Sequence, residues 1–171
     1  MMRSDSSVKK LAVAAILVAV AVVGSMFSFP VLASRCSPVQ HMVNILCAVF
    51  LGPWYGFAAA FLASLLRNLL GLGTLLAFPG SMVGALLCGL MYHKTRSLLA
   101  TCGAEVFGTG VLGGLAAWPV AVFLLGKTAA VYAYIGPFLV STAGGAIIAG
   151  AVLFALKRSG GLNAMQAVME H

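Results

Sequence analysis

Gln40, His41 and Asn44 bring three hydrogen-bonding side chains into five consecutive positions, and the i, i+4 spacing of Gln40 and Asn44 puts those two on one helical face. In an apolar setting such groups are costly to bury unless they are partnered, so a cluster of them points to a polar site. Arg67-Asn68, followed by Gly71-Leu72-Gly73-Thr74, adds a guanidinium, an amide and a hydroxyl at the junction of a helix and a loop. Two readings of Arg67 stand open: its head snorkels to an interface, or it serves a site. Glu105 is the single acid within the apolar part of the chain, and its nearness to Lys94 and Arg96 predicts an ion pair with one of them. A role in substrate or proton handling is the other reading. Trp118, beside Pro119, and Tyr132 and Tyr134 are either interfacial aromatics or rings that stack on a planar ligand.

These residue types hold a small solute; they do not run a reaction. The sequence contains no G-x-x-x-x-G-K-[ST], G-x-S-x-G or H-E-x-x-H, and no pair of carboxylates suited to acid–base work. The reading is therefore not an enzyme, with no metal and no cofactor held by this chain. The four cysteines (Cys36, Cys47, Cys88, Cys102) are widely spaced, which signals neither a zinc site nor a disulfide framework. Cys47, Cys88 and Cys102 read as small packing residues.

The elements that position the polar residues follow from composition. Of 171 residues 62% are hydrophobic and only 8% charged, and the mean hydropathy is +1.09. Soluble domains carry about 25% charged residues, so much of this surface faces lipid. The net charge of +7 comes from basic residues scattered singly or in pairs, a pattern of helix-end orientation charges and not of a nucleic-acid patch.

Uncharged runs at 11–34, 36–66, 68–93, 106–126 and 128–156 are the candidate spans, since a crossing needs about 20 apolar residues. Run 36–66 is too long for one crossing. Extended through Arg67 to Leu70 and broken at Gly52-Pro53, it divides into two short helices. That division places Arg3, Lys9, Lys10, Lys94, Arg96, Lys157 and Arg158 on one side, as cytoplasmic charge requires. The expectation is an all-α membrane protein, residues 1–171 forming a single domain of six transmembrane helices at about 9–28, 38–51, 54–71, 80–93, 99–124 and 131–156, with both termini cytoplasmic. The basic start and first apolar run are read as an uncleaved helix. The apolar outer connections 29–37 and 72–79 are suited to fold back over the bundle as a lid, and the polar cluster falls in the same outer half.

Ala12, Ala15 and Ala19 share one face of the first helix, and small faces let membrane helices approach closely. They serve either internal packing or docking of a partner protein. Gly80/Gly84, Gly110/Gly114 and Ala146/Gly150 have the same spacing and are read as internal packing.

Residues 37–90, SPVQHMVNILCAVFLGPWYGFAAAFLASLLRNLLGLGTLLAFPGSMVGALLCGL, resemble the ThiW group among the substrate-binding (S) components of energy-coupling factor transporters. The resemblance is carried by Gln40-His41-Met42-Val43-Asn44, Leu51-Gly52-Pro53-Trp54-Tyr55, Arg67-Asn68-Leu69-Leu70-Gly71 and Leu75 to Ser81; beyond these the last two helices match in hydropathy and length. It implies a six-helix capture protein of the cell membrane that takes up a thiamine precursor, the hydroxyethyl-methyl-thiazole moiety. It also implies docking on a transmembrane scaffold subunit driven by two ATPase subunits that use ATP. The family's small-residue face on the first helix matches Ala15 and Ala19, with Ala12 beside them. Placement alone nominates Gln40, His41, Asn44, Arg67, Asn68, Thr74, Trp118 and Tyr132 as substrate contacts. The competing reading is a small-solute transporter or channel that needs no ATPase subunits.

Overall fold

A computed structural model describes the backbone of residues 2–32 and 34–170. Helix α1 (Met2–Gly24) ends in a tighter turn, Ser25–Phe27. A hairpin of β1 (Phe29–Val31) and β2 (Ser34–Cys36) leads into α2 (Pro38–Phe50) and α3 (Pro53–Leu69). Then come α4 (Ala77–Thr95), α5 (Leu98–Leu124), α6 (Ile135–Arg158) and α7 (Gly161–Glu170).

Among the described residues, Ser6–Phe27, Leu98–Leu124 and Ile135–Arg158 are long and apolar enough to cross a membrane. Six crossings were expected, the second and third of them as short helices. The difference lies in the middle of the chain, where α2 and α3 are short and α4 ends in the polar stretch Tyr92-His93-Lys94. With 13 residues, α2 spans only about 20 Å. It is instead the buried strut of the bundle: every residue from Val43 to Phe50 is buried, as are Gln40 and His41. Lipid-type exposure is found elsewhere, at Leu11, Ile16 and Val23 of α1, Phe107 of α5, and Ile147 and Phe154 of α6.

Three further differences from the sequence reading have local causes. Residues 29–37 were expected as an irregular connection. They pair instead as an antiparallel hairpin, Phe29 with Cys36, Pro30 with Arg35 and Val31 with Ser34, turning at Leu32 with φ +49°. The start of the sixth helix moves from 131 to Ile135, because residues 131–134 form turns before Pro137 enters the first helical turn. Residues 161–170, left without an element in the sequence reading, form α7, which buries Leu162 and Met169 against the bundle. Gln166 Nε2 fastens it by donating to Val49 O at 3.2 Å and Tyr92 Oη at 2.7 Å.

The chain reverses between α2 and α3 at Gly52, whose φ of +88° suits glycine, while the amides of Leu51 and Gly52 both donate to Cys47 O. This turn shares one end of the bundle with Lys10, His93 and Arg96, which line a common recess with Gln166. The hairpin, Arg67 and Thr74 lie together at the other end.

Close approach of α4 and α5 sets the interior. A Cβ on Gly113 would stand 2.5 Å from Gly80 Cα, and one on Gly108 would stand 3.1 Å from Gly84 Cα. The spacings at Gly80/Gly84 and Gly110/Gly114 are thus spent on internal packing, whereas a Cβ on Gly150 meets nothing within 4 Å. Helix α5 widens into π-type turns over Val106–Gly113 and again, after Pro119, over Val120–Leu124. Clustered glycines and a proline that withholds an amide donor account for the loosened winding.

Replacing Gly84 with Val drives a side chain into Thr109 and Glu105, and overpacking of this kind costs about 1–3 kcal/mol or more. Gly150→Ala enters open space and is expected to be neutral or to gain up to about 1 kcal/mol in helix propensity. Thermal unfolding of the two variants in detergent, followed by circular dichroism, checks both signs.

Candidate binding site

Glu105 is fully buried, and its carboxylate gathers donors from three helices. Oε1 accepts from Asn44 Nδ2 at 3.0 Å and Thr109 Oγ1 at 3.0 Å, and pairs with His41 Nδ1 at 2.8 Å. Oε2 accepts from Cys88 Sγ at 3.1 Å. The expected ion pair with Lys94 or Arg96 is therefore corrected. One turn of α5 carries Glu105 inward against α2 and α4, and Arg96 lies over the Tyr92 ring instead, 5.6 Å from its centroid. Cys88, read as a packing residue, is a hydrogen-bond donor here.

From this anchor a relay runs toward the hairpin end. Asn44 Oδ1 accepts from Gln40 Nε2 at 3.3 Å, and Gln40 Oε1 accepts from Arg67 Nη1 at 3.2 Å. Asn44 also donates to Ser81 O at 3.3 Å, and the Ser81 and Ser64 hydroxyls lie 2.8 Å apart. Every step is buried, so the groups depend on one another for hydrogen bonds.

Above the relay opens a narrow cavity lined by Ser34, Arg35, Ser37, Gln40, His41, Arg67, Gly73, Thr74, Ala77, Ser81, Thr109, Phe138 and Ser141. Of the sequence-nominated residues, Gln40, His41, Arg67 and Thr74 meet here, and Asn44 lies beneath as the link to Glu105. Asn68 stands outside the lining and staples the loop, donating to Ser64 O at 2.8 Å and Thr74 O at 3.2 Å. Trp118 is also outside: its Nε1 donates to Ala129 O at 2.8 Å and its ring meets Phe123 edge-on. Tyr132 is exposed. The aromatic wall is Phe138, which reaches the cavity from α6 beside Tyr134.

The hairpin forms part of the wall and is tied to α6 by Cys36 Sγ donating to Pro137 O at 3.2 Å and Ser37 N donating to Ser141 Oγ at 2.8 Å. Burial holds the Cys36 thiol above its ordinary pKa, so it stays protonated. The sequence reading missed Ser34, Arg35, Ser37, Ala77, Ser81, Thr109, Phe138 and Ser141. Only Thr109 carried a signal, its i+4 spacing from Glu105. Two polar atoms in this wall, Arg67 Nε and Ser37 Oγ, have no hydrogen-bond partner. No group of His, Cys, Asp and Glu suited to a metal ion occurs among the described residues. The arrangement binds a small molecule through amide, hydroxyl, imidazole and guanidinium groups against one aromatic ring.

The family model described as thiamine-precursor transporter protein (ThiW) matches residues 11–159. The chain belongs to the ThiW family. No curated protein and no solved structure matches it. Membership makes it a multi-pass membrane protein of a thiamine-precursor transport family, consistent with its apolar helices. The match takes in the relay and the whole cavity lining, from Ser34 to Ser141.

Removing the anchor of this ThiW-family site strands its donors. Glu105→Leu leaves His41, Asn44 and Thr109 buried without their acceptor, a loss expected to cost about 3–5 kcal/mol. Chemical unfolding in detergent measures it, and an unchanged midpoint would remove Glu105 from its anchoring role.

Proposed function

We propose that this chain is the substrate-capture subunit of an ATP-driven, energy-coupling-factor-type importer in the cell membrane. Its substrate is the thiamine precursor hydroxyethyl-methyl-thiazole. The observation that carries the reading is the cavity itself, in a chain of the thiamine-precursor transporter family: Phe138 offers a face for a flat ring, and Gln40, His41, Arg67 and Thr74 offer polar partners. In this reading the chain is one domain that crosses the bilayer six times with both termini cytoplasmic. Support comes from the two ends of the bundle, with Lys10, His93 and Arg96 together at one and the cavity at the other. The cavity then opens outward, as capture requires.

The chain holds no cofactor and catalyses no reaction, and ATP is used by two ATPase subunits bound to a scaffold. Docking falls to α1, where Ala12, Ala15 and Ala19 are all exposed. Ala15 and Ala19 line an apolar groove with Val18, Val22 and Val23, closed on the other side by Leu62 and Leu66 of α3 and by Leu70 just after it. Small residues floor this groove, so a scaffold helix of matching apolar surface can approach closely.

Titration of the purified chain with hydroxyethyl-methyl-thiazole, thiamine and the pyrimidine half tests the ligand. The thiazole is expected to bind most tightly, and no binding by any of the three sinks the assignment. Replacing Ala15 and Ala19 with Phe is expected to abolish co-purification with the scaffold subunit. Uptake by this chain reconstituted alone, without ATPase subunits, would favour the self-sufficient transporter instead.

A further inference from the structure

Arg67 is only 4% exposed, and its hydrogen-bond partner is a neutral amide. One of its nitrogens donates to Gln40 Oε1, and Nε has no partner. The chain has three acids, Asp5, Glu105 and Glu170. Glu105 is occupied by His41, Asn44, Thr109 and Cys88, while Asp5 and Glu170 belong to the first turns of α1 and the last turn of α7, at the far end of the bundle. Among the described side chains no carboxylate pairs with Arg67, and the one carboxylate contact with a basic side chain is that of Glu105 with His41. The carbonyl end of α3, where Arg67 sits, offsets only a fraction of that charge. A second guanidinium, Arg35 of β2, lines the same cavity, and Ser37 Oγ is a further unpartnered group in its wall.

A buried cation is strongly unfavourable unless an anion or a full set of acceptors meets it. Two guanidinium groups and several hydroxyls lining one cavity match an oxygen-rich anion, which takes several donors at once. We infer that the substrate carries an anionic arm, a phosphate monoester, seated between Arg67 and Arg35 with Ser37 Oγ as a third donor. This inference rests on the thiazole-precursor reading and sharpens it. The ring lies toward Phe138, the phosphate reaches the arginines, and the phosphorylated precursor is preferred over the free alcohol. The same charges disfavour a cationic ligand such as thiamine.

The test is calorimetric titration of the full chain, in phosphate-free neutral detergent, with hydroxyethyl-methyl-thiazole and with its monophosphate. The monophosphate is expected to bind at least about tenfold more tightly, as charge-assisted pairing to two arginines implies. In Arg67→Gln the ratio between the two ligands is expected to fall to near one, and Arg67→Lys to restore part of it. Arg35 is exposed in a hairpin, so Arg35→Gln provides a variant with little risk to folding. It is expected to lower monophosphate affinity several-fold more than alcohol affinity. Equal or tighter binding of the alcohol by the native chain overturns the anionic arm and leaves the thiazole reading standing. Binding of neither ligand overturns both. Phosphatidylglycerol that displaces the monophosphate at equal concentration assigns the arginines to a lipid headgroup, and that too overturns the inference.

Discussion

A carboxylate with no access to water must be met by donors from the protein, and Glu105 imposes this requirement on the whole interior. His41 and Asn44 of α2, Cys88 of α4 and Thr109 of α5 all turn toward it. Satisfying one charge thereby fixes the mutual rotation of three helices. The glycine contacts between α4 and α5 are the steric counterpart, because Thr109 and Glu105 need the space that a side chain at Gly84 would fill. The relay outward through Asn44 and Gln40 then passes this rigidity on to Arg67 and to the cavity floor.

Much of this was legible in the sequence. The break at Gly52-Pro53 and the apolar runs gave helix bounds close to those observed for α2, α3 and α5. The polar spacing of Gln40 and Asn44 reported one face of α2 correctly, since i, i+4 geometry is local. What was illegible is what depends on contacts between distant segments. Glu105 was assigned to the nearest cations in sequence, but two of its partners, Asn44 and His41, lie 61 and 64 residues away in the chain. Trp118 and Tyr132 looked like ligand aromatics by type, yet Trp118 is engaged by Ala129 O and the ring at the cavity is Phe138. The hairpin escaped notice because three-residue strands leave no periodicity to read, and one of these strands holds a proline, a residue uncommon in strands.

The helices divide the work between solvent and site. Exposed apolar residues are spread over α1, α3, α4, α5 and α6, whereas α2 is largely buried and holds much of the polar chemistry. A short helix suffices for that task, because its backbone is satisfied internally and its ends are taken up by turns and the hairpin.

The hairpin's attachment has a kinetic consequence. Among the described residues, two hydrogen bonds tie the end of the hairpin to α6, Cys36 Sγ to Pro137 O and Ser37 N to Ser141 Oγ. Hydrogen bonds of this kind contribute about 0.5–1.5 kcal/mol each, so swinging this wall aside is a shallow equilibrium compared with disturbing the Glu105 anchor. Exchange of a bound solute is therefore expected to disturb this wall before it disturbs the polar groups beneath it.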